Sequence, residues 1–230
     1  MTGGFTIQNI ELRNFRNYKS HTQKFDAGVN KIIGPNATGK TNLIEAIGLM
    51  TQVASFKHAT TAELTNICSE NQPCQIKAEI YDSNLDQTFE FILDIVDGKK
   101  TYTLNGKKKS ISELKGRFPS VIFNPDDLAL CKGSNTMRRD AVDALGSQIS
   151  KDYFTVMHDY DRALKQKNAM LTSDASEDMI KSVNEVMLAP GAQLTFYRLA
   201  LVKKMSPVIA KFYSEIAGCD ETLGIEYYPS

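Results

Sequence analysis

The chain has 230 residues, 27 basic and 27 acidic side chains and a formal net charge of zero, with 42% hydrophobic residues. That length suits one large domain or two small ones, with enough apolar content for a core. A balanced charge excludes a global basic field, so any contact with nucleic acid must come from a local patch. No apolar run approaches the length of a membrane span, and nothing reads as a signal peptide. Cys68, Cys74, Cys131 and Cys219 form no C-x-x-C pair and have no histidine at zinc spacing, which points to reduced thiols in a cytoplasmic protein.

The first expected element is a strand over 5–12. It leads into a basic and aromatic cluster, Arg13-Asn14-Phe15-Arg16-Asn17-Tyr18. Such a cluster either touches a ligand or is a solvated strand end. Further strand is expected over 23–33, broken near Asp26-Ala27-Gly28, with 29–33 short and rich in branched apolar residues.

Next comes Gly34-Pro35-Asn36-Ala37-Thr38-Gly39-Lys40-Thr41, which fits the phosphate-binding pattern G-x-x-x-x-G-K-[ST] at every fixed position. Leu43, Ile44, Ile47 and Met50 then repeat at helical spacing. Strand, glycine loop and helix thus occur in the order a P-loop requires. Backbone N–H groups of such a loop surround a β-phosphate, and the helix N-terminus adds its positive end. Lys40 would bridge the β- and γ-phosphates, and the Thr41 hydroxyl would enter the oxygen shell of a Mg²⁺ ion.

Residues 55–58 read as a loop and 61–68 as a short helix. Alternation through 75–111, with Asp97-Gly98 and Asn105-Gly106 as hairpin turns, predicts an antiparallel meander. Lys99-Lys100 and Lys107-Lys108-Lys109 flank those turns. They would serve either DNA phosphates or the solubility of a sheet edge. A strand is expected at 119–124. The texture then turns helical, and a lobe boundary is placed near Gly133.

A helix capped by Ser134 or Asn135 would carry Arg138 and Arg139. Two arginines in a first turn call for a nearby anion, either Asp126, Asp127, Asp140 or Asp143, or a ligand. Helices over 151–171 and 177–217 follow. In the second, Leu194, Leu201, Met205, Val208 and Phe212 repeat around Arg198 as a stripe expected to be buried, and Pro190 and Pro207 are expected to kink it. Glu221 to Tyr228 reads as a final strand. The expected organisation is a P-loop lobe with a β subdomain over 1–133, a helical lobe over 134–221, and over 222–230 a strand returning to the first lobe.

Three segments together resemble the RecF family of DNA replication and repair ATPases: Leu12 to Tyr18, Gly34 to Ile47, and Phe123-Asn124-Pro125-Asp126-Asp127-Leu128 continuing to Lys132-Gly133 and Arg138-Arg139. The first two fit the wider RecF/RecN/SMC/Rad50 group, and the third points to RecF. The resemblance implies an α/β P-loop NTPase of ABC-ATPase head type, a mixed sheet plus an antiparallel β meander, with an α-helical second lobe. It implies ATP held by Gly34, Pro35, Asn36, Ala37, Thr38, Gly39, Lys40, Thr41 and Asn42, with Mg²⁺ at Thr41. Asn14, Phe15, Arg16 and Asn17 would lie near the base and α-phosphate. It further implies DNA, RecO and RecR as partners and an ATP-dependent homodimer.

The sequence departs from the family pattern at Ala37, where glycine is usual, at Asn135, where proline is usual, and at Ala141-Val142, where Phe-Leu is usual. No serine-glycine signature loop and no Walker B Asp-Glu occurs. Phe91-Ile92-Leu93-Asp94 lacks the second acid and sits in an alternating strand. The chain therefore reads as the N-terminal part of an incomplete head with little hydrolysis of its own. An SMC/Rad50-like head and a P-loop kinase are the alternatives. A GTPase would need an N-K-x-D motif, which is missing, and a purely structural DNA-binding module leaves the loop unexplained.

Overall fold

The computed structural model describes residues 4–66, 72–173, 175–218 and 221–229. The chain divides into two compact units, Met1–Ile122 and Phe123–Ser230. The division falls ahead of the Asn124-Pro125 turn rather than at Gly133.

The first unit is built on one six-stranded sheet of order β2-β1-β3-β4-β5-β6, with every pairing antiparallel. Its strands are β1 (Phe5–Phe15), β2 (Tyr18–Lys24), β3 (Cys74–Asp82), β4 (Gln87–Val96), β5 (Lys99–Leu104) and β6 (Lys107–Lys109). Three short helices or helical turns accompany them: α1 (Lys40–Thr51), α2 (Thr61–Leu64) and α3 (Ile111–Leu114). Alternation sets the inward face. Cys74, Ile76, Ala78 and Ile80 of β3 are buried, as are Phe89, Phe91, Leu93 and Ile95 of β4. Leu43, Ala46, Leu49 and Met50 of α1 complete this core with Ile10, Leu12 and Phe15 of β1.

The two sequence-predicted hairpins form as expected. Asp97 and Gly98 have φ of 48° and 72°, and Asn105 and Gly106 have φ of 48° and 74°. Paired left-handed residues of this kind match the twist of the flanking strands.

Several expected strands do not form. Residues 29–33 are outside any ladder, with Val29 89% and Ile33 88% exposed. The same holds for 119–124, where Val121 is 86% exposed, and for 221–228. Extended backbone becomes strand only when a second strand pairs with it, and among the described residues none of these segments joins a ladder. The strand expected at 23–33 lies earlier instead, at Tyr18–Lys24, and Arg16-Asn17 of the basic cluster is the turn that joins it to β1. The helix expected over 61–68 is α2 for its first turn, and its end lies outside the described residues, as do Cys68 and Cys219.

The second unit is helical. A 3₁₀ turn (Pro125–Leu128) leads to α4 (Ala129–Lys132), α5 (Asn135–Ile149), α6 (Lys151–Thr172) and α7 (Glu177–Ala217). Ser134 caps α5, and Ser150 caps α6. α7 runs through Pro190 and Pro207 as one element. Leu194 and Val202 are buried on α7, with Arg198 between them on the same face. Arg198 forks onto Asp143 of α5 at 2.8 and 2.5 Å, and Asp143 also accepts from the Tyr153 hydroxyl at 2.6 Å. Val208 and Phe212, expected on the buried stripe, are more than half exposed.

Candidate functional site

The G-x-x-x-x-G-K-T loop stands in the open between β2 and α1. Residues 33–38 are exposed, while the helix behind them is progressively buried. Gly39 is the N-cap of α1 at φ 102°, a left-handed value that disfavours any side chain. A Cβ there would also stand 2.6 to 2.7 Å from the Asn17 amide and 2.9 Å from the Tyr18 hydroxyl. Glycine is thus required twice over, by torsion and by close approach.

The start of α1 has no side-chain cap and no acidic residue in its first turn. The α2 turn, by contrast, carries a reciprocal Thr60–Glu63 cap. An uncapped start leaves backbone N–H groups and the positive end of the helix dipole available to an anion. Lys40 lies at its first position, and its ammonium donates to the carbonyls of Gly34 and Pro35 at 2.8 and 2.6 Å. The Thr38 hydroxyl donates to Pro35 at 2.9 Å, closing the loop on itself. Thr41 is exposed one residue further on, and Asn42 donates to the Asn17 carbonyl oxygen of the side chain at 2.9 Å.

Ala37, the departure from the family pattern, has φ 64°. It holds a left-handed conformation without the relief that glycine would give.

The four residues expected beside the loop separate into different tasks. Asn17 reaches it, donating to the Thr38 carbonyl at 3.3 Å. Phe15 is 0% exposed and belongs to the core, so it supplies packing and no surface. Asn14 donates to Gln72 and to the Pro73 carbonyl. Arg16 turns away from the loop and onto Glu45.

Glu45 is the residue that sequence reading missed. It lies on the inward face of α1 at 0% exposure and accepts from Arg16 Nε at 2.9 Å, Arg16 Nη2 at 2.7 Å and the Ser55 hydroxyl at 2.6 Å. Lys57 Nζ stands 3.6 Å away and donates to Asn42 Oδ1 at 2.9 Å. Burial alone would raise the Glu45 carboxyl. The Arg16 fork, the Ser55 hydroxyl and the charges of Arg16 and Lys57 outweigh it and hold the group below its ordinary value. The signal was available: a carboxylate at the i+2 position from Leu43, inside an apolar stripe, and an arginine in a turn nearby.

Elsewhere the structure corrects the expected arginine pairing. Arg138 donates to the carbonyls of Leu130 and Gly133 and to Asn135 Oδ1, capping the end of α4. Asp126 and Asp127 serve the Asn124 turn, and Asp143 pairs with Arg198. Lys107 and Lys108 lie exposed on the edge strand β6, and Lys109 pairs with Glu113 at 2.9 Å. Asp94 of the rejected Walker B mimic accepts from Gln75 inside the sheet. Among the described residues, no cluster of three or more His, Cys, Asp or Glu forms a metal site, and no helix is long and apolar enough to cross a membrane.

A phosphate loop on an uncapped helix, an antiparallel sheet beside it and a helical unit after it define an ATPase head of the ABC type. The match to known proteins narrows that class. Residues 6–202 match the RecF/RecN/SMC N terminal domain, and the chain belongs to that family. It is 32% identical over 228 residues to the DNA replication and repair protein RecF of Moorella thermoacetica, covering 97% of this chain and 60% of that protein. It is also similar to two solved structures of the recombination mediator protein RecF in the RecFOR pathway, one titled RecF-ATPrS and one RecF-ATP. Their TM-scores are 0.86 and 0.85 at 30% identity, with 94% of this chain covered in each and 59% and 58% of theirs. The chain thus spans about three fifths of the length of the relatives it matches.

Proposed function

We propose that this chain is the nucleotide-binding part of a RecF-like protein that binds ATP and acts on DNA in recombinational repair and replication restart. The observation that carries the reading is the loop Gly34 to Thr41 seated on an α1 terminus with neither capping side chain nor acidic neighbour. That terminus fits a polyphosphate, because its free N–H groups and Lys40 supply positive charge where nothing negative competes. Lys40 would exchange the carbonyls of Gly34 and Pro35 for phosphate oxygens. Thr41 would offer its hydroxyl to Mg²⁺, which prefers oxygen ligands and keeps most of its water. Asn17 would hold the Thr38 carbonyl side of the loop in place. A bound triphosphate with Mg²⁺ would supply the charge around which such heads close.

RecO, RecR and DNA are the partners this reading carries over from the resemblance, with an ATP-dependent homodimer and a cytoplasmic location. The chain shows no Walker B acid pair or signature loop of its own in the sequence. We therefore expect binding without appreciable turnover. Thermal unfolding with and without Mg-ATP tests the reading, since a ligand that binds the folded state raises the melting temperature with the logarithm of its excess over Kd. Wild type should rise with millimolar Mg-ATP and Lys40→Ala should not. A wild type that gains nothing would overturn it.

A further inference from the structure

Glu45, Arg16, Asn17, Asn42 and Lys57 form a closed ring. The Glu45 carboxylate accepts from the Arg16 guanidinium, and Arg16 is joined through the chain to Asn17. The Asn17 side chain accepts from Asn42, Asn42 accepts from Lys57, and Lys57 returns to Glu45 at 3.6 Å. The loop hangs from this ring by one bond, from Asn17 to the Thr38 carbonyl.

We infer that Glu45 is a positioning residue for the phosphate loop, holding the Arg16-Asn17 turn and Lys57 so that Asn17 stays fixed against Thr38 and Gly39. Core packing alone does not call for a carboxylate here. Leu43, Ala46, Leu49 and Met50 supply the rest of the inward face, and an apolar residue would pack there without the cost of burying a charge. That cost is offset by the Arg16 fork, the Ser55 hydroxyl and the nearby Lys57 ammonium, and Lys57 and Arg16 lead on to Asn42 and Asn17 beside the loop. Arg16 sits at a left-handed φ of 54°, a conformation that needs holding, and its backbone N–H and Nη1 donate to the carbonyls of Leu64 and Glu63. Gly39 leaves the room that Asn17 occupies, so the ring and the loop glycine fit each other.

The inference rests on nucleotide binding at this loop and is tested in two arms. Glu45→Gln keeps the shape and removes the charge. Its Mg-ATP affinity, measured where the variant is folded, should fall about tenfold, a size expected when members of one network are uncoupled. Ile76→Val, a core variant away from the loop, should bind as wild type does even where it lowers the melting temperature. Asn17→Ala should weaken binding similarly, and the double variant should bind no worse than the weaker single one. In the nucleotide-free chain, amide exchange of residues 34–41 should accelerate in Glu45→Gln while β3 and β4 stay protected. Should Glu45→Gln fail to fold, Lys57→Met breaks the same ring at a partly exposed member and is read the same way. Wild-type affinity with unchanged loop exchange would overturn the inference, and so would additive effects of Glu45→Gln and Asn17→Ala. If wild type itself binds no Mg-ATP, the functional reading fails, and the exchange arm still decides whether Glu45 positions the loop.

Discussion

Ala37 at φ 64° shows how a single side chain burdens the loop. A left-handed residue with a Cβ costs roughly 1 kcal/mol relative to glycine. Ala37→Gly should therefore raise the unfolding free energy of the first unit, read from its denaturation curve, by up to about 1 kcal/mol, less the entropy that glycine returns to the unfolded chain. A loss of stability on that substitution would mean that Ala37 makes contacts worth more than its strain. Gly39 behaves in the opposite sense, because Gly39→Ala drives a methyl group into Asn17 and Tyr18. Tyr102 offers a third case. Its hydroxyl is buried without a hydrogen-bond partner among the described residues, and burial pushes its pKa up to about 12. Removing an unsatisfied buried hydroxyl restores nothing to be lost, so Tyr102→Phe should be neutral or stabilising by about 1 kcal/mol in chemical denaturation. A loss of more than that would reveal a partner for the hydroxyl.

Between elements, two buried carboxylates do comparable work. Glu45 ties α1 to the β1–β2 turn, and Asp143 ties α5 to α7 through Arg198. The Glu45 carboxyl titrates below its ordinary value in the folded chain. Its contribution is therefore complete above the unfolded value of about 4.3 and is lost as pH falls through the lower folded value. The urea midpoint of the first unit should drop as pH falls below the unfolded value, and Glu45→Gln should flatten that drop. An equally steep drop in the variant would assign the acid sensitivity to other carboxylates. In the second unit, Arg198→Leu leaves the Asp143 carboxylate without its fork. It should cost about 3 kcal/mol, read from loss of helical circular dichroism in denaturant. The hairpins and the loop were legible from sequence because each depends on local chemistry: Asp97-Gly98, Asn105-Gly106, and glycines placed before Lys40. The role of Arg16 was not, because its partner lies 29 residues away on a helix face whose depth only the fold sets. The exposed Val208 and Phe212 make the same point, since helical spacing names a face but not what covers it.

Across the whole molecule, the strands expected at 29–33 and at 119–124 fail for one reason. Apolar composition marks a segment as able to join a sheet, while joining needs a neighbouring strand, and composition does not specify one. Val29, Ile33 and Val121 consequently stand in solvent, and exposed apolar backbone edges invite pairing between molecules. Light scattering should show association that rises with concentration, and Val29→Lys with Ile33→Lys should reduce it. A monomer at all concentrations would argue that these segments are shielded. The balanced net charge, by contrast, settled little, because the positive charge on which the proposal rests is a lysine and a helix end at one loop. The central claim is that this end receives a polyphosphate, and the most direct test is a Mg-ATP titration followed by NMR at the amides of residues 34–42. The account predicts saturable shifts centred on Gly39, Lys40 and Thr41 that vanish in Lys40→Ala. Shifts confined to other parts of the chain, or none at millimolar nucleotide, would contradict it.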